Sequence, residues 1–331
     1  MRWLGPVLFF SALVSVMGTE AWSQTSLGGQ RVATSSGTFL KIGVDARGAA
    51  LGGAYTALAE GPMAPFYNPA GIARMKGMAA GFGYAQWPAD IDVFAFSLAR
   101  PLGEAGACLG VTVEYVGTTL DETTEFLPQG TGRTFAYSDV LIGLSAARPF
   151  TDRLSIGGTA KVFREDLGSW IGGPVTQGWL VDAGTVYQIG ALNGRLAISL
   201  TNFGPDLRPE GSFASHVQKD QVDYASFSPP TSFRIGLSLE PYQRGPHTVT
   251  TAAEVVHVSD NQETFRGGFQ YDFQGRYFAR TGFDPSADAT RFSAGLGVRL
   301  PFAGSHLQLD YAYTDGGPLL TIHRWSVVLP L

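Results

Sequence analysis

The chain has 331 residues and a formal net charge of −5, with only 15% charged side chains, 43 glycines and 12% aromatic residues. A typical soluble domain carries about 25% charged residues, so the composition argues against an ordinary soluble protein, and a barely positive mean hydropathy argues against a helical membrane protein. The 23 basic residues are scattered singly, which leaves no nucleic-acid footprint, and Cys108 as the only cysteine excludes an intrachain disulfide and a multi-cysteine metal site.

Residues 1–23 read as a secretory signal peptide. Arg2 supplies the positive start, residues 4–16 the apolar stretch, and Ala21-Trp22-Ser23 the small residues at a cleavage site before Gln24. The chain is therefore expected to leave the cytoplasm. Beyond residue 24 no apolar run approaches the about 18 residues of a membrane-crossing helix.

Residues 24–77 do not read as strands. Small residues from Ala46 to Ala59 predict a close-packed helix that starts at Asp45 and stops at Gly61. Asn68-Pro69 then predicts a cap and first-turn proline opening a short second helix. Such a segment has too little core of its own and must pack on something larger.

Residues 78–331 contain about fourteen segments alternating with period two. Phe292, Ala294, Leu296, Val298, Leu300 and Phe302 share one face, and Ser293, Gly295, Gly297 and Arg299 the other. Leu307, Leu309, Tyr311 and Tyr313 likewise oppose His306, Gln308 and Asp310. Successive strand side chains point to opposite faces, so each segment has one oily and one polar side. The polar side carries Glu114, Lys161, Asp182, Arg234, Glu254, Arg266, Arg299 and Asp310, which are tolerable in a wet lumen and costly against lipid. Aromatics gather near the segment ends, among them Trp87, Tyr115, Trp179, Tyr187, Tyr242, Phe273, Tyr313 and Trp325, as interfacial girdles require.

The connections alternate as well. Those at 101–106, 149–153, 190–195, 241–246, 274–276 and 303–305 are short, and every long one (117–134, 166–178, 204–231) falls in the other set. Short turns on one side and long loops on the other are the pattern of outer-membrane barrels. The expected fold is all-β: a transmembrane antiparallel barrel of about 14 strands with a partly helical N-terminal plug. It is expected in the outer membrane, in contact with its lipid, with both termini periplasmic.

Chemistry is sparse. The five histidines show no metal-ligand spacing, and no nucleophile elbow or phosphate loop occurs, so neither enzyme nor cofactor is expected. His306 and His323, on neighbouring final strands, are the single hint of catalysis.

The motifs Gly43-Val44-Asp45-Ala46-Arg47-Gly48, Leu51-Gly52-Gly53-Ala54-Tyr55 and Tyr67-Asn68-Pro69-Ala70-Gly71 resemble the opening of PorV/PorQ-type outer-membrane proteins, within the FadL-like superfamily of fatty-acid and hydrophobic-compound transporters. The resemblance spans the mature chain and departs from it in ending on Leu329-Pro330-Leu331 rather than an aromatic residue. It implies that the segment 39–74 folds into the barrel as a hatch, with Asp45, Arg47, Gly52, Gly53, Tyr55, Tyr67, Asn68, Pro69, Ala70 and Gly71 as plug residues. Asp45 and Arg47 are expected to fix it by ion pairs. Two functions are implied: receipt of secreted substrates for the type IX system, with secretion partners on the long loops, or passage of apolar small molecules. The opening motif leans towards the first. A soluble secreted ligand-binding β-protein is the reading from another class.

Overall fold

Alternating faces and short turns leave a sheet of this length one stable outcome in lipid, where every backbone group needs a partner and an open edge has none. In the computed structural model, which describes residues 34–103, 106–214, 221–285, 292–302, 304–317 and 321–331, that outcome is reached by closure. The strands are β1 (Ala79–Trp87), β2 (Ile91–Pro101), β3 (Cys108–Asp121), β4 (Thr134–Pro149), β5 (Leu154–Asp166), β6 (Val175–Gln188) and β7 (Arg195–Phe203). A small hairpin of β8 (Ser212–Ala214) and β9 (Gln221–Asp223) follows. The rest are β10 (Ser232–Arg244), β11 (His247–Val258), β12 (Thr264–Phe273), β13 (Tyr277–Phe283), β14 (Phe292–Phe302), β15 (Ser305–Asp315) and β16 (Thr321–Pro330). All but β8 and β9 form one closed antiparallel barrel of fourteen strands, and β1 seals it against β16 from Ala79↔Pro330 to Gln86↔His323. The proposed signal peptide lies outside the described residues, as does His216.

Several boundaries differ from the sequence reading. The loop expected at 117–134 shrinks to 122–133 because β3 and β4 stay paired out to Asp121↔Thr134. The one at 166–178 shrinks to 167–174. The turn expected at 241–246 is only Gly245 and Pro246, since β10 continues through Pro241. A register shift between Leu239 and Tyr242 accommodates this proline, which has no N–H for the ladder.

The outer face is apolar and the inner face polar and filled. Leu296 is 65% exposed on the outside, whereas its neighbour Ser293 is 2% exposed inside. Leu296→Arg is expected to cost about 2–4 kcal/mol if it sits near the bilayer midplane. Ser293→Asp, which faces a cavity lined by Arg266 and Arg324, should cost much less. Urea titration of variants refolded in vesicles measures both, and equal costs would refute the assigned faces.

The segment before β1 crosses the bore. Its described start lies with the long loops: Ser36 N–H donates to the Ser228 carbonyl at 3.2 Å, and Lys41 pairs with Asp260 at 2.8 Å. Its far end lies with the short turns, where Arg74 donates to the carbonyls of Thr151 and Asp152 at 3.2 and 2.7 Å. Strand parity does bring Ala79 and Pro330 together at the short-turn end. The described part of the N-terminal segment runs from the long-loop end to the short-turn end, and the N-terminus itself, expected on the periplasmic side, lies outside the described residues.

Candidate functional site

Glycine and alanine dominate the lumen segment, and the structure shows why they are needed: backbone lies directly on wall. The single α-helix here, α1 (Ala46–Ala50), is capped by Asp45, whose carboxylate accepts from the Arg47 N–H at 3.1 Å. It stops well short of Ala59, because Gly52 and Gly53 turn the chain at φ 65° and 83°, a region other residues rarely adopt. That turn abuts β13, where a Cβ on Gly282 would meet the Gly52 nitrogen at 2.0 Å. On the opposite wall, a Cβ on Gly184 would meet Asn68 Oδ1 at 2.0 Å and one on Gly157 would meet the Ala70 nitrogen at 2.6 Å. The short second helix, Pro69–Ile72, is of the 3-10 type, with Asn68 capping Ala70 N–H at 3.0 Å.

Side chains tie the segment all round the ring. Ser326 on β16 accepts from the Ala46 N–H at 2.6 Å and donates to Asp45 at 2.9 Å. Glu254 on β11 accepts from the backbone N–H groups of Tyr55 and Thr56 at 3.0 and 2.8 Å. Asn68, fully buried, donates to the Thr56 and Thr185 carbonyls at 3.3 and 3.1 Å. Tyr67 accepts from the Asp45 N–H and meets Tyr55 edge-on, with centroids 5.1 Å apart. Gly71 is packed on Ala59.

Among the described residues, Asp45 and Arg47 make no direct ion pair with a charged side chain of the wall. Arg47 pairs instead with Glu60 at 3.6 Å, and Arg195 on β7 meets the same carboxylate at 3.2 Å.

The other charged residues singled out by alternation also meet partners inside. Lys161 pairs with Asp182 at 2.6 Å and reaches Asn202 at 3.0 Å, where β7 is irregular and Asn202 sits at φ 60°. Arg266 pairs with Asp284 at 3.0 Å. Asp310 pairs with Arg280 at 2.6 Å, and Gln308 bridges Asp310 to Arg299. Glu114 and Arg234 line the cavity on the long-loop side of the segment. Arg280, Arg324, Ser326 and Asn202 were missed; only their inward parity could have marked them.

The girdle expectation for Trp87 fails by parity. Trp87 lines the lumen beneath Arg324, 5.2 Å from the ring centroid, and is not part of an outer girdle. His306 borders the lower lumen, whereas His323 stacks on Tyr311 and Trp325. They do not converge.

Above the segment lies a cavity of about 170 Å³, bounded by residues 40–44, Phe66, Tyr67 and the wall. At this end Leu207 is buried in one cluster with Phe39, and Arg208 holds Asp223 at 2.8 Å. Below the segment, about 320 Å³ opens at the short-turn mouth beside Arg47, Glu60, Arg74 and Arg299.

Glu254→Ala is expected to leave two inward N–H groups bare, at about 1–3 kcal/mol each. Hydrogen exchange at Tyr55 and Thr56 should accelerate at least about ten-fold, the equivalent of 1.4 kcal/mol. Unchanged protection would show that Glu254 does not hold the segment.

No protein-family profile and no curated protein matches the chain in sequence. Among solved structures it is similar to the CymD monoaromatic hydrocarbon channel, with a TM-score of 0.58 and 16% identity over 88% of this chain and 98% of that one. It is similar to a Pseudomonas aeruginosa FadL homologue, with a TM-score of 0.55 and 12% identity over 87% and 98%. A TodX monoaromatic hydrocarbon channel variant gives a TM-score of 0.51 and 13% identity over 86% and 97%. The fold of this chain is therefore that of the FadL-like outer-membrane barrels.

Proposed function

We propose that the protein is an outer-membrane channel for small molecules with apolar character, closed at rest by its own N-terminal segment. One observation carries the reading: a fourteen-strand bore is occupied by a segment docked on opposite walls, in the fold shared by CymD and the FadL homologue. In this reading residues 1–23 direct export, 24–77 form the plug, and 78–331 form the barrel, its short turns facing the periplasm. A substrate-receiving role in type IX secretion rests on the opening motif alone. The structural likenesses favour the channel, and an outward apolar face round the whole ring is unsuited to a soluble ligand-binding protein.

The test uses a host whose outer membrane excludes apolar solutes. The mature chain should be recovered in the outer-membrane fraction, and expression should raise whole-cell uptake of labelled toluene several-fold over the empty vector. Recovery in the soluble periplasm, or uptake equal to the empty vector, overturns the reading.

A further inference from the structure

The cavity above the segment is charged to a degree that a purely apolar cargo does not explain. Lys41, Lys161, Arg234, Arg266 and Arg324 line it, against the carboxylates Glu114 and Asp284. Three of the five cations have a carboxylate of their own: Lys41 meets Asp260 at 2.8 Å, Lys161 meets Asp182 at 2.6 Å and Arg266 meets Asp284 at 3.0 Å. Among the described residues, no carboxylate lies within the 4.0 Å ion-pair distance of Arg234 or Arg324.

Arg324 is only 5% exposed. Its Nε donates to the Gly43 carbonyl at 3.0 Å and Nη1 to Thr314 at 2.9 Å, which leaves Nη2. Arg234 donates through Nε to Ser232 at 3.1 Å, which leaves both of its terminal nitrogens. Glu254 is the opposite charge that acts most on half-buried Arg234, from beyond ion-pair distance, and a cation drawn out of water without a direct counter-charge is costly. Arg234, with both terminal nitrogens free, offers a planar fork that matches a carboxylate in shape and charge, and Arg324 adds Nη2.

We propose that this cavity binds a compact organic anion, a single-ring or short-chain carboxylate, whose charged group is taken by Arg234 and Arg324. The apolar part lies against Trp87, Phe66 and Leu141, which line the same space. Size selects the class: about 170 Å³ is below the roughly 300–1,000 Å³ of sites for drug-sized ligands, so a long acyl chain does not fit. The inference rests on the channel reading and narrows its cargo.

Benzoate serves as the probe, benzyl alcohol as its neutral counterpart and decanoate as the longer chain, each titrated calorimetrically into the purified full-length barrel in detergent. Benzoate should bind the parent at least ten-fold more tightly than the alcohol or decanoate. Arg234→Gln and Arg324→Gln should each weaken benzoate at least ten-fold and leave the alcohol unchanged. Arg324 also holds the segment through Gly43, so Arg234→Gln is the cleaner variant. Absence of benzoate binding to the parent, unchanged binding in Arg234→Gln, or equal binding of the alcohol or decanoate would each overturn the proposal. Benzoate binding that meets these criteria, with no uptake of toluene or benzoate by whole cells, would uphold the site and overturn the channel reading instead.

Discussion

Deleting residues 39–74 while keeping the export signal is expected to leave a closed barrel that conducts steadily. About eight strands make a bore that side chains fill, and fourteen enclose a much wider one. The fill here is the segment itself, whose Val44, Leu51, Tyr55, Met63 and Ile72 are almost wholly buried. Closure does not depend on it, since the β1–β16 ladder runs from Ala79↔Pro330 to Gln86↔His323 without help from the lumen. Planar-bilayer recording should show large, steady conductance in the deletion and little in the parent. A parent that already conducts like an open porin would refute the plug.

The second large effect is expected from adding one small side chain on the wall. Gly282→Val places a Cβ 2.0 Å from the Gly52 nitrogen and 2.0 Å from the Leu51 carbonyl carbon. Both are backbone atoms, and the Gly52-Gly53 turn at positive φ leaves them little room to retreat. Overpacking of this kind costs about 1–3 kcal/mol, which is about 5- to 150-fold in the ratio of docked to undocked segment. Openings should become more frequent by that factor while the barrel's melting behaviour stays near the parent's. Gly267→Val is the control, because a Cβ there meets nothing within 4 Å. Equal conductance in the two variants would show that Gly282 is not a docking point.

The barrel was legible because its two rules are local. Period-two alternation, as from Phe292 to Phe302, fixes which face is wet, and alternating loop lengths fix the sides; neither depends on knowing a distant partner. What escaped were places where a local rule is overruled by contact. Pro241 reads as a turn but is absorbed by a register shift. The small residues from Ala46 to Ala59 read as one helix, yet Gly52 and Gly53 bend so that backbone can lie on Gly282. Trp87 reads as a girdle residue by its place at a strand end, although parity turns it inward.

The lumen contacts were less legible still. Glu254 reads as one more polar inward position, whereas its partners Tyr55 and Thr56 lie 199 and 198 residues away. Arg47 reads as an ion-pair partner that fixes the segment, but nothing local shows that its partner is Glu60, which Arg195 on the wall meets as well. Inward glycines such as Gly157, Gly184 and Gly282 were the available signal, since a wall needs them only where something presses close.

The crossing of the bore also constrains how the molecule assembles. A chain whose described residues start among the long loops and reach β1 at the opposite mouth passes through a ring that its own first and last strands close. If the ring sealed first, the leading end would have to be pulled through a finished pore. If the segment settled first, it would have no complete wall to settle on. The order with the fewest obstacles has strands β2–β15 curling round the segment while the β1–β16 seam is still open. In the parent, sealing then coincides with docking, whose contacts include one between residues 280 positions apart. A lesion in the segment would accordingly show itself in the rate at which barrels close, before any molecule has passed through one.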